Sequence, residues 1–324
     1  MIEDHSQYLL NTYARPPLLF TRGKGCKLYA TSPNNPRFNY KSDSDSATST
    51  SSTSTEKKRE DEEVEVEYLD FTAGIAVNAL GHADPQIANL LKEQASQLSH
   101  SSNVCWNEWA GELGRLLVQQ TEEHGGLGLG FSKGEDGKDG KDGNKEEGAK
   151  VFFTNSGTES NEGALKFARL IGKNRQQPDN SSGTGKEKTA LVCFNNAFHG
   201  RSLGALSVTP NPKYQAPFSP LIPNVRVGQL GDKESLEELV TSEVCGVIVE
   251  PIQGEGGLNE ANREWFEALG RRCREVGAVL IYDEIQVSGA VTAAPLFLFA
   301  SFAKCEKQRS LCSVVWYHYL LERS

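Results

Sequence analysis

Four segments of this 324-residue chain end an apolar run with residues able to do chemistry. The first is KVFFT (150–154) followed by NSGTESNEGALKFAR (155–169). Gly157 and Thr158 stand where a strand gives way to a helix, and the free N–H groups and dipole of a helix start favour a phosphate. The same residues allow a capping box with Ser156 as cap and Glu159 three positions on. The second is ALVCFNNAFHGRS (190–202), in which Phe198 offers a face to a flat ring and Arg201 a fork to a carboxylate. The competing reading makes Phe198 core and Arg201 a surface charge. The third, VCGVIVEPIQGEGG (244–257), places Glu250 and Glu255 at a strand end and in a glycine-rich loop. These are a functional pair of acids or a solvated turn. The fourth, AVLIYDEIQ (278–286), sets Asp283 at the mouth of an apolar run. An acid there needs a cation, because an unpaired buried charge is costly. A protonated ring nitrogen or a neighbouring arginine would serve.

These motifs need a scaffold that brings strand ends together. ALVCF, VCGVIVE and AVLIYDE are near-continuous apolar runs, the pattern of strands buried on both faces of a parallel sheet. Residues 64–71 alternate like a half-buried strand. Helical spacing is expected over 85–98, 108–120, 159–172, 233–241 and 262–276, with Pro85 at a helix start. The succession β-α-β-α predicts an α/β fold with a mostly parallel sheet flanked by helices. In such sheets ligands bind beyond the carboxyl ends of the strands, where all four motifs lie.

Composition narrows the function. The net charge of −9 and pI of about 5.3 argue against nucleic-acid binding. No apolar run is long enough to span a bilayer, so no membrane role is expected. Seven cysteines, scattered and without C-x-x-C, fit neither a disulfide framework nor a metal site. A reducing compartment follows. MIEDHSQYLL is neither a signal peptide nor an Arg-rich presequence. Neither a Walker A loop nor a G-x-G-x-x-G fingerprint is present, which disfavours nucleotide binding and a dehydrogenase.

Only 37% of residues are hydrophobic and the mean hydropathy is −0.48. Polar insertions dilute an ordinary core. Residues 42–55 are nearly all Ser, Thr and Asp and run into the charged stretch 56–63; residues 125–149 and 176–188 are rich in Gly, Lys, Asp, Gln and Ser. These are expected to be disordered loops, since they carry too little apolar surface to offset the entropy of ordering. Regulated phosphorylation of 42–55 is the functional alternative. The expected organisation is an N-terminal segment over 1–67, a large domain over 68–286 and a tail over 287–324.

Taken in order, the motifs resemble the class III pyridoxal-phosphate-dependent aminotransferases of fold type I. Further blocks carry the likeness: YLLNTYARPPLLFTRGKG (8–25), YLDFTAGIAVNALGHADP (68–85) and LSHSSNVCWNE (98–108). GIAVNALGH points to the acetylornithine branch rather than the ornithine or 4-aminobutyrate branches, which stay as alternatives. The resemblance implies that Gly157 and Thr158 hold the cofactor phosphate and that Phe198 stacks on the pyridine ring. It gives the ring nitrogen to Asp283 and the ring hydroxyl to Gln286. Arg201 would contact a substrate carboxylate, and Glu255 would mask a second arginine. The implied cofactor is pyridoxal 5'-phosphate, and the substrates are a small-molecule amino donor and a 2-oxo acid. For this branch they are N2-acetylornithine and 2-oxoglutarate, in arginine biosynthesis. A homodimer and a mitochondrial matrix location are also implied.

The likeness stops after Gln286. The family continues with a glycine-rich stretch and an Ala-Lys pair whose lysine forms the Schiff base. Here Lys304 and Lys307 follow in a different context, so no catalytic residue is assigned. The expectation is an incomplete large domain without the C-terminal small domain, inactive as it stands, with central strands turned into edges that the apolar tail run PLFLFASF (295–302) either covers or leaves prone to aggregation. The Gln286-Val-Ser junction suggests a retained intron or a faulty gene boundary. A non-catalytic subunit paired with a complete paralogue is the remaining alternative.

Overall fold

The computed structural model describes residues 7–16, 18–32, 64–123, 149–174, 188–286, 299–302 and 312–316. The expected insertions at 42–63, at 125–148 and at 176–187, and the tail lysines Lys304 and Lys307, lie outside them. Two compact units are formed, one by the described residues up to 100 and one by the described residues from 101 on.

The first unit contains an antiparallel meander of β1 (Leu19–Lys24), β2 (Lys27–Ser32) and β3 (Val64–Leu69). Beyond β3, Asp70 organises a tight segment. Its Oδ1 accepts from Thr72 N, Thr72 Oγ1 and Ala73 N at 2.8–3.0 Å, and its Oδ2 faces His82 Nε2 at 2.8 Å. Asn78 Nδ2 meets the other ring nitrogen at 3.1 Å. Helix α1 (Pro85–Gln97) follows, with Asp84 as its cap: Oδ1 accepts from Gln86 N at 2.8 Å and Ile87 N at 3.1 Å.

The second unit opens with α2 (Glu108–Glu123) and β4 (Lys150–Thr154). Next come α3 (Gly157–Asn174), β5 (Ala190–Phe194), α4 (Leu203–Ser207) and α5 (Pro212–Gln215). Strand β6 (Val225–Gly228), α6 (Leu236–Leu239), β7 (Val244–Val249) and the two-residue strands β8 (Ile252–Gln253) and β9 (Asn259–Glu260) follow. Helix α7 (Arg263–Val276), β10 (Val279–Asp283), β11 (Phe299–Phe302) and β12 (Cys312–Trp316) complete it. The main sheet runs β4-β12-β11-β10-β7-β5-β6. The β6/β5, β5/β7, β7/β10 and β12/β4 pairs are parallel; the two pairs made by β11 are antiparallel. The sheet is thus mostly parallel, as expected. The end of the apolar tail run forms β11, which with β12 lies between β10 and β4, so the tail covers the edge of β10.

Strands β5, β7 and β10 are buried throughout. Their side chains alternate between two cores. Val192, Phe194, Val247, Val249, Leu280 and Tyr282 pack with Trp265, Leu269 and Cys273 of α7. Leu191, Cys193, Ile248 and Ile281 pack with Ala164, Leu165 and Ala168 of α3. Burial on both faces explains why these runs are apolar without a break. Helix α3 comes very close: a Cβ on its Gly172 would sit 2.6 Å from Cys245 Cβ. Lys188, expected to end the third insertion, is buried instead, donating to Ser242 O at 3.0 Å and Val276 O at 2.5 Å.

Candidate active site

Parallel strands β5, β7 and β10 are adjacent, so the residues after their carboxyl ends converge. Phe198 and His199 follow β5, Glu250 follows β7, and Asp283 ends β10. Asp283 is buried. Its Oδ2 accepts from Asn161 Nδ2 at 2.8 Å and lies 2.7 Å from His199 Nδ1; its Oδ1 accepts from Ile285 N at 3.1 Å. Among the described residues no lysine or arginine pairs with it, so the neighbouring-arginine reading does not hold. Two polar atoms beside it, His199 Nε2 and Asn161 Oδ1, are buried without a partner.

Two more acids crowd this end of the sheet. Glu250 is buried, and its Oε2 accepts from Phe198 N at 3.0 Å. Burial pushes its carboxyl up to about 7. Burial pushes the equally enclosed Glu284 up to about 7 as well, with Asp283 adding to the shift. Both carboxyls therefore hold a proton far more readily than an exposed glutamate.

The helix start at α3 carries the capping box read from the sequence. Ser156 Oγ accepts from Glu159 N at 3.3 Å, while the Glu159 carboxylate accepts from Asn155 N at 2.9 Å and from Ser156 Oγ at 3.0 Å. This capping box uses side chains of Ser156 and Glu159. It leaves Gly157 and Thr158 as the first two helical residues, whose N–H groups have no intrahelical acceptor. Thr158 Oγ1 is 2.7 Å from Ser202 Oγ and accepts from Ser202 N at 3.2 Å. Gly200 has φ +132°, and a Cβ there would lie 2.4 Å from Thr158 Oγ1. Only glycine suits that conformation and that approach.

Phe198 is half-buried, with its ring edge-on to Tyr214 at 6.3 Å. Arg201 is exposed and lies flat over the Tyr214 ring, its Cζ 3.6 Å from the centroid. Tyr214 donates its hydroxyl to Glu255 Oε1 at 3.2 Å. The loop bearing Glu255 is tied down by Gln253 Nε2, which donates to Asn195 O at 2.8 Å. Gln286 is half-buried beside Gly254, where a Cβ would come within 3.3 Å of Gln286 Cβ. The fold thus gathers Gly157 and Thr158 with Ser202, and Phe198, Arg201 and Glu255 around Tyr214. Sequence reasoning gave no role to Asn161, His199 or Tyr214. The available signals were a polar Asn161 on the face of α3 that buries Ala164, Leu165 and Ala168, and the place of His199 just past a strand.

The mostly parallel sheet thus gathers acids, an aromatic and a helix start at its carboxyl end, where α/β sheets bind ligands. Residues 55–297 match the aminotransferase class-III family, and the chain belongs to that family. The acetylornithine aminotransferase, mitochondrial, of Neurospora crassa is 43% identical over 292 residues, covering 90% of this chain and 51% of its own length. That of Yarrowia lipolytica is 44% identical over 287 residues, covering 88% and 55%. The Aquifex aeolicus acetylornithine aminotransferase is 38% identical over 279 residues, covering 86% and 57%. The chain spans about half the length of the curated relatives it matches. Among solved structures, an ornithine aminotransferase from Toxoplasma gondii superposes with a TM-score of 0.62 at 25% identity, covering 91% of this chain and 57% of that one. The N-acetylornithine aminotransferase from Stenotrophomonas maltophilia gives 0.54 at 24% identity, covering 90% and 56%. The class is pyridoxal-phosphate dependent.

Proposed function

We propose that this chain carries the cofactor-holding part of an acetylornithine aminotransferase, which moves an amino group between N2-acetylornithine and 2-oxoglutarate in arginine biosynthesis. The observation that carries the reading is Asp283, a buried carboxylate at a strand end whose partners are His199 and Asn161 and neither a lysine nor an arginine. This donor set suits a protonated pyridine nitrogen. His199 Nε2 and Asn161 Oδ1, on the two partners of Asp283, are buried without a hydrogen-bond partner.

When bound, pyridoxal 5'-phosphate supplies an electron-withdrawing ring that makes the amino-acid carbon acidic. Asp283 would hold the proton on the ring nitrogen, with His199 and Asn161 fixing its orientation. The N–H groups of Gly157 and Thr158 at the start of α3 would hold the phosphate. Phe198 would cover the ring face and Gln286 the ring hydroxyl. Arg201 would take a substrate carboxylate, and Glu255 would mask a second arginine while the amino donor is bound. Relatives named acetylornithine aminotransferase favour that substrate over free ornithine or 4-aminobutyrate.

Within these 324 residues the family's Schiff-base lysine has no match in context, so the chain alone is proposed to hold the cofactor without covalent attachment and without turnover. Titration of pyridoxal phosphate into the purified chain tests this. Saturable binding weakened at least tenfold by Asp283→Ala is expected, as for loss of a charge-assisted contact. Binding indifferent to that change overturns the cofactor site. Borohydride reduction that fixes the cofactor to a lysine overturns the proposed inactivity. Comparing kcat/KM for N2-acetylornithine and ornithine, in a protein that joins these residues to the rest of the family's length, tests the substrate.

Relatives from Neurospora crassa, Yarrowia lipolytica and Schizosaccharomyces pombe are named mitochondrial. We propose a mitochondrial matrix location and, for the full-length protein, a homodimer. Protease protection of isolated organelles and sedimentation equilibrium check the two assignments.

A further inference from the structure

We propose that Tyr214 is a positioning residue whose hydroxyl keeps Glu255 off Arg201, so that the guanidinium stays open to a substrate carboxylate. The second half of this statement rests on the aminotransferase reading above; the tether itself does not.

Three segments meet at Tyr214. It sits on α5, a turn started by Asn211, whose Oδ1 accepts from Lys213 N at 3.1 Å. Gln215 Nε2 donates to Leu206 O at 3.0 Å and secures α5 against α4. Arg201 comes from the turn after β5 and stacks on the Tyr214 ring at 3.6 Å, with Phe198 farther off at 5.7 Å. Glu255 comes from the loop after β8 and accepts the Tyr214 hydroxyl at 3.2 Å. One side chain thus touches an arginine with its face and a glutamate with its edge.

Opposite charges gathered on one tyrosine would ordinarily pair with each other. Here they do not: among the described residues Arg201 has no carboxylate partner. The reason is the chemistry of the tether. The phenol gives Glu255 a neutral donor, and the ring gives Arg201 a π-face that leaves its N–H fork unspent. An arginine kept in this way can accept a bidentate carboxylate. Were Glu255 released, it could pair with Arg201, which shares the same tyrosine, and the substrate carboxylate would have to displace an internal one. The substrate class that fits is an acid whose carboxylate lies flat in the Arg201 fork.

The test is the rate at which phenylglyoxal modifies Arg201 in the intact chain, read by peptide mass mapping. Tyr214→Phe keeps the ring and removes the hydroxyl. It is expected to slow modification about two- to fivefold, the size of an exposed ion pair. Tyr214→Phe with Glu255→Gln is expected to restore the original rate, which a merely structural role for Tyr214 would not do. An unchanged rate in Tyr214→Phe, or no rescue by Glu255→Gln, overturns the tether. Glutarate, a dicarboxylate without a reactive carbonyl, is then added to the unaltered chain. Protection of Arg201 supports the carboxylate site. Failure to protect, with the mutant pattern intact, overturns the aminotransferase reading of Arg201 and leaves the tether standing. Matching thermal midpoints confirm that the variants are folded.

Discussion

His199 Nδ1 lies 2.7 Å from Asp283 Oδ2, and both side chains are almost wholly enclosed. The two come from the ends of β5 and β10, which are separated in the sheet by β7. Asn161 Nδ2 bridges them, donating to His199 O at 2.7 Å and to Asp283 Oδ2 at 2.8 Å. The imidazole backbone is held in turn by Thr209 Oγ1, which accepts from His199 N at 2.9 Å. The carboxylate at the candidate ring-nitrogen position is therefore aimed by three other segments of the second unit.

Removing one partner of this pair is expected to cost more than removing both. Asp283→Ala leaves a buried imidazole and amide without an acceptor and is expected to lower stability by about 3 kcal/mol. Asp283→Ala with His199→Phe is expected to recover at least about 1 kcal/mol of that loss. Urea unfolding of the four proteins of the cycle measures the coupling. Additive losses would mean that the two groups do not support each other.

Stability should also fall with rising pH near neutrality. Burial raises Glu250 and Glu284 to about 7, so the folded chain binds these protons more tightly than the unfolded one. The stabilisation is fully present below the unfolded value, near pH 4.5, and is lost as pH rises through about 7. Each group is expected to contribute on the order of 1–3 kcal/mol to this change. Glu250→Gln should flatten the decline of the urea midpoint between about pH 4.5 and about pH 7. A decline of equal slope in the variant would remove Glu250 as its source.

Lys188 is expected to matter for folding rather than chemistry. Its ammonium donates to Ser242 O and Val276 O at 3.0 and 2.5 Å, the latter being the last carbonyl of α7. Lys188→Met keeps the apolar stem but leaves these carbonyls without that donor and the helix terminus without its cation. A loss of about 2 kcal/mol is expected, read from thermal or urea midpoints. A neutral substitution would show that water replaces the ammonium.

The cysteines should divide by burial. Cys26 and Cys105 are exposed, whereas Cys193, Cys245 and Cys273 are buried. Burial pushes Cys193 and Cys273 up to about 12 and raises Cys245 as well. The thiolate is the nucleophile, so the buried three are expected to react with maleimide only after denaturation. Mass mapping of the native chain checks this; rapid labelling of Cys193 would mean that the core around β5 opens readily.

Much of the scaffold was legible in the sequence because its signals are local. ALVCF, VCGVIVE and AVLIYDE declared themselves as doubly buried strands, and Asn155 to Glu159 declared a helix start. The helix expected over 233–241 shrank to Leu236–Leu239, because only Leu236 and the following turn pack on the α7 core. The site was legible only in part. The candidates Phe198, Arg201, Glu255 and Asp283 were named by type and place, and Gly157 with Thr158 by the turn they form. Their partners were not. The Asn161–Asp283 contact joins residues 122 apart, His199–Asp283 residues 84 apart, and Tyr214–Glu255 residues 41 apart.

The sequence by itself determined the elements, their order, and the delivery of polar residues to the carboxyl ends of the strands. Periodicity and capping act over a few residues and can be read along the chain. Only the tertiary structure decided which atoms meet there. The sheet order β10-β7-β5 sets Asp283, Glu250 and His199 side by side, and the docking of α5 puts Tyr214 between Arg201 and Glu255. It also decided that Asp283 answers to an imidazole and an amide rather than to an arginine. Strand order and helix docking are settled by how whole faces bury against one another, and no window of neighbouring residues contains that information.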